Sequence, residues 1–291
     1  MTVKWLVDQY MLDHNEQDVL ELLQSAGFEV KVGTFDRLAR GDEIPKYYES
    51  DECVVIYGSL EFVAQQQKHG YIPGAYYQEK ALHCSSYIPQ IPENYLLNSE
   101  HVFATFADFC RRPDFFYRAF ANDHIFIRPN TGRKLFTGLS IARNDFEDDI
   151  NSLRQLSGVS EDSLIVVAKQ QTIEAEYRFF IVNRKVITGS FYEHEDSQSS
   201  GDALKEVPLE AWQMAQAMAK NPWQPDIAYV CDVAKTPDGF KIVELNALSC
   251  SGLYNCDIVA LARAVSVAAE LEYEGELSIG DLEIGAFSLR P

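Results

Sequence analysis

Asp232, Glu244 and Asn246 carry hard oxygen donors, and the stretch that holds them, residues 228–252 (AYVCDVAKTPDGFKIVELNALSCSG), brings them together. Residues 228–234 and 240–247 are apolar and β-prone. Thr236-Pro237-Asp238-Gly239 between them sets Pro and Gly where a turn needs them, so the stretch reads as a β-hairpin. Side chains alternate along a strand. Val230, Asp232 and Ala234 therefore share one face, and Phe240, Ile242, Glu244 and Asn246 share one on the returning strand. Folding about the turn brings Asp232 within roughly one residue of Glu244 in register. Two carboxylates so placed repel each other and resist desolvation. A divalent cation relieves both costs, and Asp, Glu and an amide suit Mg²⁺ or Mn²⁺, with phosphate oxygens and water completing the shell. The competing reading is a solvated hairpin face. The flank favours a site: Ala-Leu-Ser-Cys-Ser-Gly-Leu-Tyr follows Asn246, small-residue chain that suits close approach of a ligand.

Other segments must position these groups. The 291 residues are 46% hydrophobic, with 17 Phe and 15 Tyr, a globular composition with room for two or three subdomains. A net charge of −19 disfavours general nucleic-acid binding, though a local basic pocket stays open. The cysteines at 53, 84, 110, 231, 250 and 256 form no CxxC pair, which points to reduced thiols in a cytoplasmic protein and against a zinc site. The start, MTVKWLVDQYM, lacks the pattern of a signal peptide, and no apolar run approaches membrane-spanning length.

Taken in order, residues 3–7, 28–32 and 53–57 read as strands, with helices over 16–26 (Val19, Leu20, Leu22 and Leu23 inward, Gly27 as stop) and from Gly58-Ser59 to Lys68. This order implies a small doubly wound α/β domain. No GxGxxG or GxxxxGK[ST] follows its strands. Residues 70–97 read as a crossover with little regular structure. Ser99 reads as the cap of a helix reaching Cys110, with Phe103, Phe106 and Phe109 inward. Residues 124–129 form a strand with Ile125 and Ile127 on one face, Phe126 and Arg128 on the other. After the loop 130–133, residues 134–138 resume as a strand. Arg128 and Lys134 on one cavity would suit a triphosphate; as ordinary surface cations they would mean nothing. A helix over 145–156 and a buried strand over 164–168 end at Lys169, where the register changes. On the next strand Glu174, Glu176 and Arg178 share a face, and residues 185–192 return after an Asn183-Arg184 turn. Apolar neighbours imply that Arg178 is buried, so it needs Glu176 or a phosphate as partner. Residues 193–201 are either a lid or a solvated connection. Helices over 210–219 and 257–271 follow, then an acidic tail whose residues 277–282 read as peripheral. No nucleophile constellation stands out, and His194 is most simply solvated.

This order of elements resembles the ATP-grasp fold, over about residues 124–271. IVELNALSCSGLY is similar to the family's metal signature and EAEYRFFIVNRKVITGSFY to its preceding hairpin. Most of the family carries Lys on the first strand; Arg128 followed by Lys134 resembles a subclade in which Arg replaces it. The resemblance implies a mixed α/β chain divided into an N-terminal domain (1–97), a small lobe (98–168) and a C-terminal lobe (169–291). It implies that Arg128 and Lys134 hold α- and β-phosphates of ATP and that Lys169 lies at the adenine hinge. Glu176 would contact ribose or orient Arg178, and Arg178, the catalytic candidate, would reach the γ-phosphate. Asp232, Glu244 and Asn246 would hold one or two Mg²⁺. By position only, Ser190, Tyr192 and Ser251 would line the acceptor pocket. The implied activity is a ligase joining a small-molecule or peptide carboxylate to an amine through an acyl phosphate. Phosphoryl transfer to a hydroxyl, or binding without turnover, are the alternatives. A homodimer is left open. Glu244→Gln or Asp232→Asn is expected to abolish turnover with little loss of fold.

Overall fold

The structure, a computed structural model, describes residues 2–14, 18–133, 135–192 and 206–282. The N-terminal part contains β1 (Lys4–Asp8), α1 (Gln9–His14), α2 (Val19–Ser25), β2 (Glu29–Gly33), β3 (Cys53–Tyr57), α3 (Leu60–Gln66) and β4 (Ile72–Gly74). The four strands pair in parallel in the order β2-β1-β3-β4. All five residues of β3 are buried, as a parallel strand covered on both faces requires. Val19 and Leu23 of α2 cover one face with Trp5 and Val7, while Phe62 and Val63 of α3 cover the other with Leu6 and Ile56. Gly27 ends α2 at φ +90°, where a side chain would be strained. The Ser59 hydroxyl caps α3 by accepting from Phe62 N.

The crossover is more ordered than its composition suggests. It contains α4 (Cys84–Tyr87) and two 3₁₀ turns, and it grips the loop after the arginine strand. Cys84 N donates to Asn130 O and Ser85 N to Asn130 Oδ1, both at 2.8 Å.

The second sheet comprises β5 (His101–Thr105), α5 (Phe106–Arg111), α6 (Pro113–Ala119), β6 (His124–Pro129), β7 (Leu139–Ala142), α7 (Phe146–Leu156) and β8 (Leu164–Lys169). Its strands are antiparallel in the order β5-β8-β6-β7. Two expectations are corrected here. The helix from Ser99 begins only at Phe106, capped by Thr105, because residues 101–105 pair with β8 as an edge strand. The Phe spacing that suggested one helix face is shared between two cores: Phe106 and Phe109 join one, and Phe103 packs against the other. The strand after the 130–133 loop starts at Leu139, with Phe136 already turned into the core. Lys134 lies outside the described residues.

The third sheet comprises β9 (Ala175–Val182), β10 (Lys185–Phe191), β11 (Ala228–Thr236) and β12 (Gly239–Ala247), antiparallel in the order β10-β9-β11-β12. Asn183 and Arg184 turn between β9 and β10 with φ of 44° and 61°, the left-handed pair of a two-residue hairpin loop. α8 (Leu209–Ala219) covers the face bearing Tyr229, Cys231 and Val233. α9 (Ile258–Tyr273), capped by Asp257, lies on the opposite face, and its buried residues share one core with Phe180, Val230 and the N-terminal sheet. Leu282, at the end of α10 (Ile279–Leu282), is buried in that core, so the segment read as peripheral is anchored. Among the described residues no helix is long and apolar enough to cross a membrane.

At this junction two acids are held where charge is unfavourable. Burial pushes the Glu272 carboxyl up to about 7, against a hydrogen bond that Tyr76 Oη donates to it at 2.7 Å. Burial also raises Asp226, to which the Glu272 charge adds. An unfolded chain releases the Glu272 proton near its ordinary 4.5, whereas the folded chain keeps it to about 7. Stability from this group is therefore complete at low pH and is lost as pH rises through that window. We expect the melting temperature of Glu272→Gln, relative to the native chain, to climb between pH 5 and pH 7.5 and then level off. A pH-independent difference would contradict the assignment.

Candidate active site

The site grows out of strand register. Asp232 pairs with Glu244 on one side and with Arg178 on the other. Val230 pairs with Asn246, Ala234 with Glu176, and Ser190 with Arg178. Partners across a ladder point to the same face, so Glu176, Arg178, Ser190, Asp232, Glu244 and Asn246 gather on one. The expected face of β12 needs one correction. The ladder shifts after the Asp232–Glu244 pair, leaving Val243 as an extra residue. Phe240 and Ile242 therefore turn to the opposite side, into the core with Cys231 and Val233, and do not share the face of Glu244.

At the floor of the site Arg178 holds Asp232 with a two-pronged ion pair, Nε to Oδ1 at 2.9 Å and Nη2 to Oδ2 at 2.8 Å. Their side chains are 5% and 1% exposed. Arg178 Nη1 donates to Gly252 O at 3.3 Å, and its guanidinium lies 4.7 Å from the Tyr192 ring centre and 5.1 Å from that of Tyr254. Burial works against the charge, but the Asp232 carboxylate outweighs it and holds Arg178 above the ordinary arginine value. Asn246 Nδ2 donates to Asp232 Oδ2 at 3.0 Å and to Glu244 Oε1 at 2.8 Å. Arg128, from β6 of the second sheet, donates through Nη2 to Glu244 Oε2.

A cleft of about 270 Å³ opens between the second and third sheets, and Arg128, Glu176, Tyr192, Glu244 and Asn246 all line it. Arg178 and Asp232 lie beneath this lining. Lys169 stands at the rim, its Nζ 3.4 Å from Glu100 Oε1, while its neighbours Gln170 and Gln171 line the cleft. Ser190 is buried beside Arg178. The Ser251 hydroxyl donates to Ala247 O at 2.6 Å, fixing the chain after β12. Lys134 and residues 193–201 fall outside the described residues, so the second phosphate cation and the lid do too. Sequence reasoning passed over Gln170, Gln171 and Tyr254. The glutamines directly follow the hinge lysine and Tyr254 closes the small-residue run, so position was the available signal. No three His, Cys, Asp or Glu residues cluster as a metal cage among the described residues; the donor set is two carboxylates and an amide.

Residues 40–265 match the model of an ATP-grasp domain family, the third family of its clade. The chain belongs to this family. No curated protein matches it in sequence. Several solved ATP-grasp structures share its fold. D-cycloserine synthetase DcsG superposes with a TM-score of 0.60 at 12% identity, over 92% of this chain and 99% of that one. D-alanyl-alanine synthetase A from Vibrio cholerae gives 0.57 at 12%, over 95% and 99%. The ATP-grasp ligase PsnB, bound to a phosphomimetic variant of its minimal precursor, Mg and ADP, gives 0.55 at 14%, over 93% and 99%. At these identities the likeness is one of fold.

The depth of the Arg178–Asp232 pair changes what substitution should do. Removing one partner of a buried pair leaves an uncompensated charge and costs roughly 3–5 kcal/mol. We expect Asp232→Asn to lower the unfolding free energy by about 3 kcal/mol or more in urea denaturation. Glu244→Gln should lose clearly less, because Arg128 can turn to the cleft. Equal losses would contradict this ranking.

Proposed function

We propose that this ATP-grasp chain is an ATP- and Mg²⁺-dependent ligase that joins a carboxylate to an amine through an acyl phosphate. The observation that carries the reading is the placement of Arg128, on one sheet, opposite Glu244 and Asn246, on the other, across a single cleft. A triphosphate needs cationic groups on one side and metal-binding oxygens on the other, and this cleft offers both. The synthetase and ligase names of the solved relatives support the same reading.

The donor set fits a hard divalent cation. Two carboxylates and an amide converge so closely that one amide nitrogen bonds both acids. Asp232, Glu244 and Asn246 would hold Mg²⁺. Bound there, the ion draws charge from the β- and γ-phosphates. Arg128 would hold phosphate in the position where most of the family uses Lys, with Lys134 as the second cation. The 130–133 loop, pinned through Asn130 to the crossover, would close over the phosphates. Adenine would lie toward Lys169, Gln170 and Gln171. Glu176 would meet ribose, and Tyr192, Ser190 and Ser251 would border the acceptor. Arg178 acts from beneath: by fixing both oxygens of Asp232 it sets the direction in which that ligand faces.

In the reaction a carboxylate oxygen attacks the γ-phosphorus and ADP leaves. The amine then attacks the carbonyl and phosphate leaves. The chain contributes position and charge neutralisation rather than a covalent intermediate of its own. The division into residues 1–97, 98–168 and 169–291 belongs to this proposal, as do peptide or small-molecule substrates, a cytoplasmic setting and the open choice of a homodimer.

A screen of amino acids and short peptides for acceptor-dependent ADP release identifies the substrates. An ¹⁸O-labelled carboxylate then tests the chemistry: ligation carries label into the released phosphate, whereas transfer to a hydroxyl does not. Loss of an outer partner of a metal ligand typically costs ~10–100-fold. Losing a ligand itself should cost more, so we expect Glu244→Gln to reduce turnover by over about 100-fold. Full Mg²⁺-dependent turnover by that variant would refute the site.

A further inference from the structure

Each carboxylate of the cleft meets an arginine, but the two ion pairs are built differently. Arg178 and Asp232 stand on adjacent strands of one sheet, use both carboxylate oxygens and are almost fully buried. Tyr192, Tyr254 and the Gly252 carbonyl close over the guanidinium. That pair belongs to the scaffold. Arg128 and Glu244 come from different sheets, meet across the cleft and both line it, with side chains 15% and 23% exposed. That pair is the one an entering ligand must break.

We propose that Arg128 is the counter-ion of Glu244 while the cleft is empty, so that nucleotide and divalent cation enter as a coupled pair. The inference rests on the ATP- and Mg²⁺-dependent reading above and concerns how that site loads. A triphosphate arriving alone must draw Arg128 away and leave the Glu244 carboxylate unpaired beside its own negative charge. A cation arriving alone must displace Arg128 from Glu244 and leave a half-buried guanidinium without an anion. When both arrive, Glu244 passes to the cation and Arg128 to a phosphate, and every charge keeps a partner. Asn246 takes part in the same exchange, since its amide nitrogen now faces both carboxylates. Coupling of this kind is reciprocal: each ligand strengthens the other by the same factor, typically ~5–150-fold.

Titration calorimetry with a non-hydrolysable ATP analogue, in EDTA and in MgCl₂, tests this on the full chain. The expected signature is a reversal of sign. Glu244→Gln frees Arg128, so affinity in EDTA should rise by about tenfold, while affinity in MgCl₂ should fall. Removing a negative charge near phosphate would also raise metal-free affinity, and Arg128 separates the two causes. In an Arg128→Met background, with folding checked by thermal melting, the gain from Glu244→Gln should disappear. The Arg128→Lys background should keep part of it. A gain of equal size with and without Arg128 reduces Glu244 to simple repulsion and overturns the exchange; so does no gain in EDTA. If the native chain fails to bind the analogue even in MgCl₂, the ligase reading falls first. If it binds and the variants do not behave as stated, only the exchange falls.

Discussion

Two carboxylates one strand apart on a partly covered face cannot stand without positive charge, and the rest of the site follows from meeting that need. Asp232 and Glu244 pair directly across the β11–β12 ladder. Bringing both out of water in a region of reduced dielectric would drive one of them to take up a proton or push the strands apart. The fold answers from three directions. Arg178 arrives from β9, Arg128 from the second sheet, and the Asn246 amide bonds both acids at once. Each reply ties the hairpin to something else, so the charge problem becomes a set of tethers.

Those tethers reach into the N-terminal sheet. The chain leaving β12 is held against the end of β3: Gly58 N donates to Ser249 O at 2.8 Å, Ser249 Oγ to Ile56 O at 2.6 Å, and Tyr57 Oη to Ser251 O at 2.9 Å. Gly58 has no room for a side chain there, since a Cβ would sit 2.5 Å from that of Asp8. The same run then delivers Gly252 and Tyr254 to Arg178. The N-terminal sheet thus supports the site without lining the cleft, and α9, packed between that sheet and the third, makes the two share one core.

Much of this was legible because the relevant signals are local. The hairpin turn, period-two alternation and the short apolar run of β3 are carried within a few residues of sequence, and they place Asp232 opposite Glu244. The burial of Arg178 and its need for an acid were also readable from its apolar neighbours. Its partner was not: Glu176 is close in sequence, but Asp232 is the residue that faces it across the ladder. The misread pieces share a cause. The bulge at Val243 changes which face Phe240 and Ile242 occupy, and a one-residue slip leaves no mark on an alternating pattern. The strand at 101–105 was hidden by phenylalanines at helical spacing that serve two different cores. Edge pairing with β8, a contact distant in sequence, decided against the helix.

Arginine at position 128 suits the double duty better than lysine would. An ammonium is a compact and strongly hydrated charge, whereas a guanidinium is planar, holds its charge under all ordinary conditions and sheds water more readily. A group that must sit half-buried between ligands, paired to a carboxylate, and later face a phosphate needs those properties in both states. Burial opposes the charge on Arg128 and the Glu244 carboxylate restores it, holding the arginine well above its ordinary value. A lysine in that setting could shed its proton and let the pair dissolve. The guanidinium cannot, so the cleft keeps an obligatory cation that some anion must always match. The acid on β12 fills that role when no nucleotide is present, and the strand that supplies a metal ligand thereby also guards the phosphate site.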